Sequence, residues 1–290
     1  MRFSVWQRSL VTVLAALLLA SSGARAQDGP DLELGDEVHY PWAFSGSGFG
    51  STSVADQKSR VLSIPVSIWL RRLTNGRTMG LRLRVTGVIG YQEFKRLDEF
   101  SAESIRLGGL FPGIEFLFPL SDRSMLRPFA DIGFGLSNTE VGELLLSTFG
   151  LRTEFVFPWK RWELGLEPRA QAALSWTSTD LADGEYIVLA AQMDARYPLG
   201  FQIGGSTPDV GAYFEPEYFP DALSFTTASG DRSSIQKQYE IGFTLGFRDP
   251  APKIWFIGVP RLGVGYRFGD GLTGLRIRIG GDRVTRLPLP

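Results

Sequence analysis

The sequence predicts an all-β chain folded as a transmembrane antiparallel up-and-down β-barrel of about 12 strands. Three observations carry that prediction. Side chains alternate apolar and polar with period two through most of the chain. The alternating runs are long, roughly 13–17 residues where soluble strands have about five or six. Aromatic residues gather near the run ends, as expected of interfacial girdles.

The N-terminal segment MRFSVWQRSLVTVLAALLLASSGARAQ places Arg2 and Arg8 before a short apolar stretch, Leu10 to Ala20. Ala24 and Ala26 offer small residues where a signal peptidase reads them. The apolar stretch is about half the roughly 20 residues of a spanning helix. The expectation is a cleaved secretory signal over 1–26 and one barrel domain over 27–290, with a retained anchor helix as the disfavoured alternative. No later apolar run reaches spanning length, so membrane entry requires a closed sheet. The chain has no cysteine, which excludes disulfides, a thiol nucleophile, a Cys-ligated metal and N-terminal lipidation at a cysteine. A formal charge of -1 lacks the basic imbalance of nucleic-acid binders.

Strands are expected at about 38–50, 59–71, 79–92, 103–119, 124–137, 142–157, 160–177, 184–198, 200–216, 235–248, 253–268 and 271–281, with boundaries good to about two to four residues. Region 200–216 contains Gly204, Gly205 and Pro208 and is open to interruption. The clearest run puts Trp162, Leu164, Leu166, Ala170, Leu174 and Trp176 on one face and Glu163, Glu167, Arg169 and Gln171 on the other. Pro65, Pro128, Pro168 and Pro260 fall inside runs, where bulges are expected because proline donates no ladder hydrogen bond. Trp69 falls on the inward face, and Phe111 and Ile114 break parity across Pro112-Gly113.

Links at 75–76, 121–124, 158–160, 198–200 and 249–252 read as short turns, with Asn75-Gly76 the strongest hairpin signal. Links at 51–58, 93–102, 178–183 and 217–234 read as longer, and the short ones at 138–141 and 269–270 weaken the contrast. Alternating short and long links suit periplasmic turns and outer loops. Trp159, Trp162, Tyr197, Phe201, Phe247 and Trp255 are expected in one girdle, and Tyr91, Trp176, Tyr218, Phe219, Tyr266 and Phe268 in the other.

A soluble β domain binding an apolar ligand is the alternative fold. Against it, the polar face combines Arg and Glu with Gly and has little Lys. The expected lumen set is Arg82, Arg84, Arg106, Glu115, Arg127, Asp131, Arg152, Glu154, Arg161, Glu163, Glu167, Arg169, Asp194, Arg196, Glu240, Arg261, Arg267, Arg276 and Arg278, with Glu215 also in phase. Two readings stay open: an ion-pair network filling the barrel, or a channel whose arginine excess favours anions. In the hairpin Ile114–Leu136, residues Ile114, Phe116, Phe118, Ile132 and Phe134 should meet lipid. Glu115, Arg127 and Asp131 should face inward, with Glu115→Gln tolerated.

The ending VGYRFGDGLTGLRIRIGG resembles that of solitary autotransporter-type outer-membrane barrels, in which a tight Gly/Asp turn leads into an amphipathic last strand. That resemblance implies a Gram-negative, porin-like or translocator-like barrel without a passenger, since only Gln27 to about Glu37 precedes it. Such barrels usually end on an aromatic residue, whereas this chain continues as DRVTRLPLP. Either the assembly signal is internal, with Leu275, Ile277 and Ile279, or the chain stands outside that family.

Chemistry has little purchase here. The single histidine, His39, precedes YPWAF and lacks the GxxHxSNG context of outer-membrane phospholipases, and Ser137-Asn138-Thr139 has no neighbouring His. Gly269, Gly271 and Gly274 spell GxGxxG but open a strand, so they read as a turn. Glu215, Glu217 and Asp221 are expected in a solvated outer loop, with calcium as the alternative. The expectation is therefore a non-enzymatic monomer of the cell outer membrane, with no cofactor, catalytic or metal residues. Its role is structural, translocator-like or small-solute passage, and its partners are lipid, lipopolysaccharide and the outer-membrane assembly machinery. An outer-membrane lipid hydrolase with an unorthodox site is the alternative function.

Overall fold

The structure, a computed structural model, describes residues 48–54, 57–71, 73, 79–94, 103–137, 143–177, 184–226, 232–248, 253–254, 257–258 and 261–279. The expected signal, His39, Trp255, Pro260 and the C-terminal DRVTRLPLP lie outside them, as do the side chains of Tyr91 and Arg106.

The strands in chain order are β1 (Gly48–Val54), β2 (Gln57–Arg71), β3 (Gly80–Phe94), β4 (Glu103–Ser121), β5 (Ser124–Ser137), β6 (Glu143–Trp159) and β7 (Trp162–Thr177). They continue as β8 (Gly184–Pro198), β9 (Pro208–Thr226), β10 (Arg232–Phe247), β11 (Lys253–Ile254), β12 (Ile257–Gly258), β13 (Leu262–Gly269) and β14 (Leu272–Ile279). Among the described residues, β1 to β10 with β13 and β14 form a closed barrel of sequential antiparallel neighbours, while β11 and β12 make a separate small pair. Closure comes from β1 against β14, from Phe49↔Ile277 to Val54↔Leu272. A closed sheet leaves no unpaired edge, which lipid would not tolerate.

The period-two pattern becomes two faces. Ile64, Val66, Ile68 and Leu70 on β2 are exposed outward, as are Ile132, Phe134 and Leu136 on β5 and Ile241, Phe243 and Leu245 on β10. Leu262, Val264 and Tyr266 on β13 and Leu275 and Ile277 on β14 continue this apolar band. Exposed apolar side chains on strand after strand are the signature of a lipid-facing belt. On β4, Phe111, Glu115 and Leu117 are buried inside while Leu110 is exposed, so parity holds through Pro112 and Phe111 is an inward aromatic.

Several boundaries depart from expectation. The first strand is Gly48–Val54 rather than 38–50. The Gly204-Gly205 segment, with both glycines at positive φ, forms a turn closed by an Ile203↔Ser206 bridge, so β9 starts only at Pro208. Likewise β13 starts at Leu262 rather than 253. The expected loop 217–234 is largely strand, because β9 runs to Thr226 and β10 starts at Arg232.

These shifts erase the contrast between short and long links. Both barrel termini, Gly48 and Ile279, lie at one end, here the near end. That end carries the tight turns 122–123 and 160–161, but also the longer links 199–207 and 248–261. The far end carries links at 95–102 and 178–183 beside tight connections at 55–56 and 270–271.

Among the described residues, the prolines expected to bulge, Pro65, Pro128 and Pro168, produce no register shift. At Pro65 the β2–β3 register runs straight through. Elsewhere pairing is skipped on one side only. The β4–β5 ladder passes from Glu115↔Phe129 to Phe118↔Leu126 opposite Pro128, while Pro128↔Leu151 pairs normally with β6. Pro168 and Pro216 behave likewise: Arg152↔Arg169 gives way to Phe155↔Leu166, and Ala190↔Glu217 to Met193↔Phe214. The missing N–H removes bonding toward one neighbour and leaves the other ladder to hold the register. Register shifts fall at Trp69/Arg71, Pro119/Ser121 and Ile235/Lys237, the last two at Pro119 and opposite Pro220 rather than at the prolines expected to bulge.

Candidate functional site

Inward-facing side chains divide the barrel interior into a charged zone and an apolar layer. The first charged group gathers on β3 to β7. Glu115 is fully buried, and one of its oxygens takes hydrogen bonds from Arg82. The other receives Arg127, whose Nε lies at 3.1 Å and Nη2 at 3.0 Å. Arg127 Nη1 continues to Glu154 at 3.2 Å and Glu167 at 3.5 Å. Arg84 lies 3.7 Å from Asp131, which also accepts a hydrogen bond from Thr148 at 3.2 Å.

Aromatic rings separate the cations here. The Phe129 ring has Arg84 at 5.1 Å and Arg152 at 4.6 Å, and Arg82 lies over inward-facing Trp69 at 5.5 Å. Cation–π contact is one way to hold a desolvated guanidinium. It accounts for two aromatic rings, Phe129 and Trp69, among the charged side chains.

The second group spans β7, β9, β10, β13 and β14. Glu240 accepts Arg267 and Arg276, each at 3.0 Å, and receives the Tyr213 hydroxyl at 2.6 Å. Arg278 reaches Glu215 at 3.0 Å and stacks over Tyr213 at 4.7 Å. Arg169 bridges Glu217 at 2.7 Å and Glu215 at 3.5 Å, and Gln238 donates to Glu217. Toward the near end, Arg261 donates to Asp209 at 2.6 Å and to Thr244 at 3.0 Å, and Arg196 pairs with Asp194 at 2.9 Å.

The placement of the expected lumen residues follows directly. Arg82, Arg84, Glu115, Arg127, Asp131, Glu154 and Glu167 meet in the first group, with Arg152 stacked beside them. Arg169, Glu240, Arg267, Arg276 and Arg278 meet in the second. Glu163 is opposite Arg196 across β7–β8. Arg161 stands apart: it occupies the β6–β7 turn, exposed, with its guanidinium 5.0 Å from the Tyr197 ring centroid.

Sequence reasoning missed Asp209, Glu217 and Tyr213, whereas Gln238 follows from its alternation with Glu240. The sequence places Glu217 in a loop with Glu215 and Asp221, but β9 carries both glutamates inward to Arg169. The loop reading of these acids therefore falls with the extension of β9. Pro216 and Pro220 disguised the strand. With Asp209 and Glu217 added, the apparent arginine excess of the inward face shrinks. Geometry also removes the expectation that Glu115→Gln is tolerated, since two guanidinium groups share that one carboxylate.

Glycine makes room for this interior at close cross-strand approaches. A Cβ on Gly133 would collide with the Phe111 ring, and one on Gly265 with the Tyr213 hydroxyl and Glu240. Both glycines are on the inward face, so each aromatic ring occupies the volume its neighbour leaves empty.

Nearer the far end lies an apolar layer that the pattern did not reveal. Phe111, Leu146, Tyr186, Val188, Phe219, Leu223, Ile235 and Leu272 are buried together with Val88 and Ala173. Phe219, expected in a girdle, is here at 1% exposure. The register shift at Ile235/Lys237 turns Ile235 inward, while Gln238 keeps the inward phase of Glu240. Asp270, in the β13–β14 turn, accepts from the N–H groups of Gln236 at 2.8 Å and Lys237 at 2.7 Å within that shift. Slight burial raises the Asp270 pKa, but those backbone hydrogen bonds outweigh it and hold the carboxyl below its ordinary value. Gly269 and Gly271, at φ 147° and 74°, form the turn that GxGxxG had spelled.

No protein-family model matches the chain, and no curated protein matches it. Among solved structures, the translocator domain of the autotransporter NalP from Neisseria meningitidis is similar at TM-score 0.52 and 10% identity, over 80% of this chain and 84% of that one. The β domain of the Bordetella autotransporter BrkA gives TM-score 0.44 at 12% identity, over 81% and 96%. LpxR from Salmonella typhimurium gives 0.40 at 11%, over 81% and 100%. The last two likenesses are too distant to carry argument. The first shows the fold alone: a transmembrane-type antiparallel β-barrel like that of the NalP translocator domain.

Proposed function

We propose that this chain is an integral outer-membrane β-barrel without catalytic activity, exported with removal of residues 1–26 and closed through its lumen at rest. One observation carries the reading. The outward face exposes apolar side chains such as Ile64, Phe134, Phe243 and Leu275, while inward charges such as Glu115, Arg127, Glu240 and Arg267 are buried in mutual pairs. Such a section suits lipid outside and excludes bulk water inside. Passage through the lumen would require parting both the ion pairs and the apolar layer. The role is accordingly structural or translocator-like, with any small-solute passage conditional on displacing those layers. Both barrel termini then face the periplasm.

Extraction only by detergent, with heat-modifiable gel migration, is the expected behaviour, together with a mature N-terminus at Gln27. Planar-bilayer recording should give no steady conductance for the unmodified protein. Recovery in the soluble periplasmic fraction would overturn the membrane reading, and steady ohmic conductance would overturn the closed lumen.

A further inference from the structure

We infer that the Trp159–Lys160–Arg161–Trp162 turn, with Tyr197 beside it, is a rim site for the phosphodiester headgroup of an anionic phospholipid. This rests on the membrane-embedded reading above. Trp159 and Trp162 pair across the turn, and both are exposed on the outward face. Lys160 adopts φ 55°, the left-handed region, where an L-residue other than Gly, Asn or Asp is uncommon. Its ammonium lies 5.7 Å from the Trp159 ring centroid. The Arg161 guanidinium lies 5.0 Å from that of Tyr197, and Tyr197 packs against Trp162 at 5.0 Å.

Each cation is thus steadied by an aromatic ring, and among the described residues neither Lys160 nor Arg161 has an ion-pair partner. Inward arginines such as Arg127 contrast with this, because carboxylates meet them. The neighbouring β4–β5 turn adds exposed Arg123, whose carbonyl accepts a hydrogen bond from Val156 N–H at 2.9 Å and ties that turn to β6. Exposed tryptophan and tyrosine at the end of spanning strands settle at headgroup depth. Cations standing on them then face phosphates, and a guanidinium can grip two phosphate oxygens at once. Each cation near an anionic lipid surface favours binding about fivefold.

The test uses the full chain reconstituted in phosphatidylcholine vesicles doped with brominated phosphatidylglycerol or brominated phosphatidylcholine, reading tryptophan quenching. Both lipids should quench, with phosphatidylglycerol preferred about fivefold or more. The preference should fall close to one in Lys160→Asn/Arg161→Gln, where Asn accommodates the positive φ. It should persist in Lys160→Arg/Arg161→Lys. Heat-modifiable migration confirms that each variant folds, and the single variant Arg161→Gln replaces the double one if that does not. Equal quenching by both lipids in the unmodified protein, or an undiminished preference in the charge-removing variant, overturns the headgroup site. Absence of quenching by either lipid overturns the membrane reading instead.

Discussion

Arg127 of β5 meets Glu115 of β4 at 3.0 Å, with the carboxylate wholly buried. Arg82 of β3 occupies the other oxygen, so one carboxylate joins three successive strands. Removing one partner of a buried ion pair is costly because the charge left behind cannot rehydrate. Glu115→Gln keeps the shape but leaves Arg82 and Arg127 with one counter-charge fewer. We expect a loss of about 3 kcal/mol in equilibrium urea unfolding from lipid vesicles. A change within about 0.5 kcal/mol would mean that water reaches this pair after all.

Gly133 and Phe111 test the packing beside that network. The ring lies where a Cβ on Gly133 would stand. Gly133→Ala should therefore destabilise by about 1–3 kcal/mol through overpacking. Phe111→Ala opens the space, so adding Gly133→Ala to it should cost far less than Gly133→Ala alone. The same unfolding assay yields this coupling, and strict additivity would place the ring elsewhere.

Legibility in the sequence followed the physics of alternation. Where outward apolar and inward polar residues alternate without interruption, as in Trp162 to Trp176, both strand and face could be read. Phe111, Tyr186 and Phe219 were harder, because an apolar residue facing an apolar layer looks like one facing lipid. Pro216 and Pro220 concealed the continuation of β9: Pro216 loses pairing with β8 but keeps it with Tyr239 on β10, and Pro220 lies in the register shift between Tyr218 and Leu223. The inward turn of Ile235 depends on a register shift held by Asp270, a contact between residues distant in sequence. Alternation alone could not locate it.

Asp270 gives that register shift a pH dependence. Burial raises its folded-state pKa, but the hydrogen bonds from the Lys237 and Gln236 N–H groups together bring it below the ordinary value. A depressed carboxyl stabilises the fold above its unfolded pKa, near 3.9, and that contribution disappears as pH falls through the folded value. Amide exchange at Gln236 and Lys237, corrected for intrinsic rates, should lose protection on acidification below about pH 4. Asp270→Ala should show the lower protection at every pH. Equal protection in both proteins at neutral pH would remove Asp270 from this role.

Phe134 separates the two fold readings that composition left open. It is 64% exposed on the outward face of β5, between the exposed side chains of Ile132 and Leu136. In water, arginine at so exposed a position should change stability by no more than about 0.5 kcal/mol. In lipid it must place a charge in the hydrocarbon, which costs about 2–4 kcal/mol near the bilayer midplane and less toward the interfaces. Phe134→Arg should therefore lower the folded, heat-modifiable fraction in phosphatidylcholine vesicles. Moving the same substitution to Trp159 at the strand end should restore most of it, because that position lies beside the β6–β7 turn. A depth-dependent penalty is a property of a bilayer, and no aqueous surface reproduces it. Equal tolerance at both positions would argue that the apolar band faces water or a protein partner.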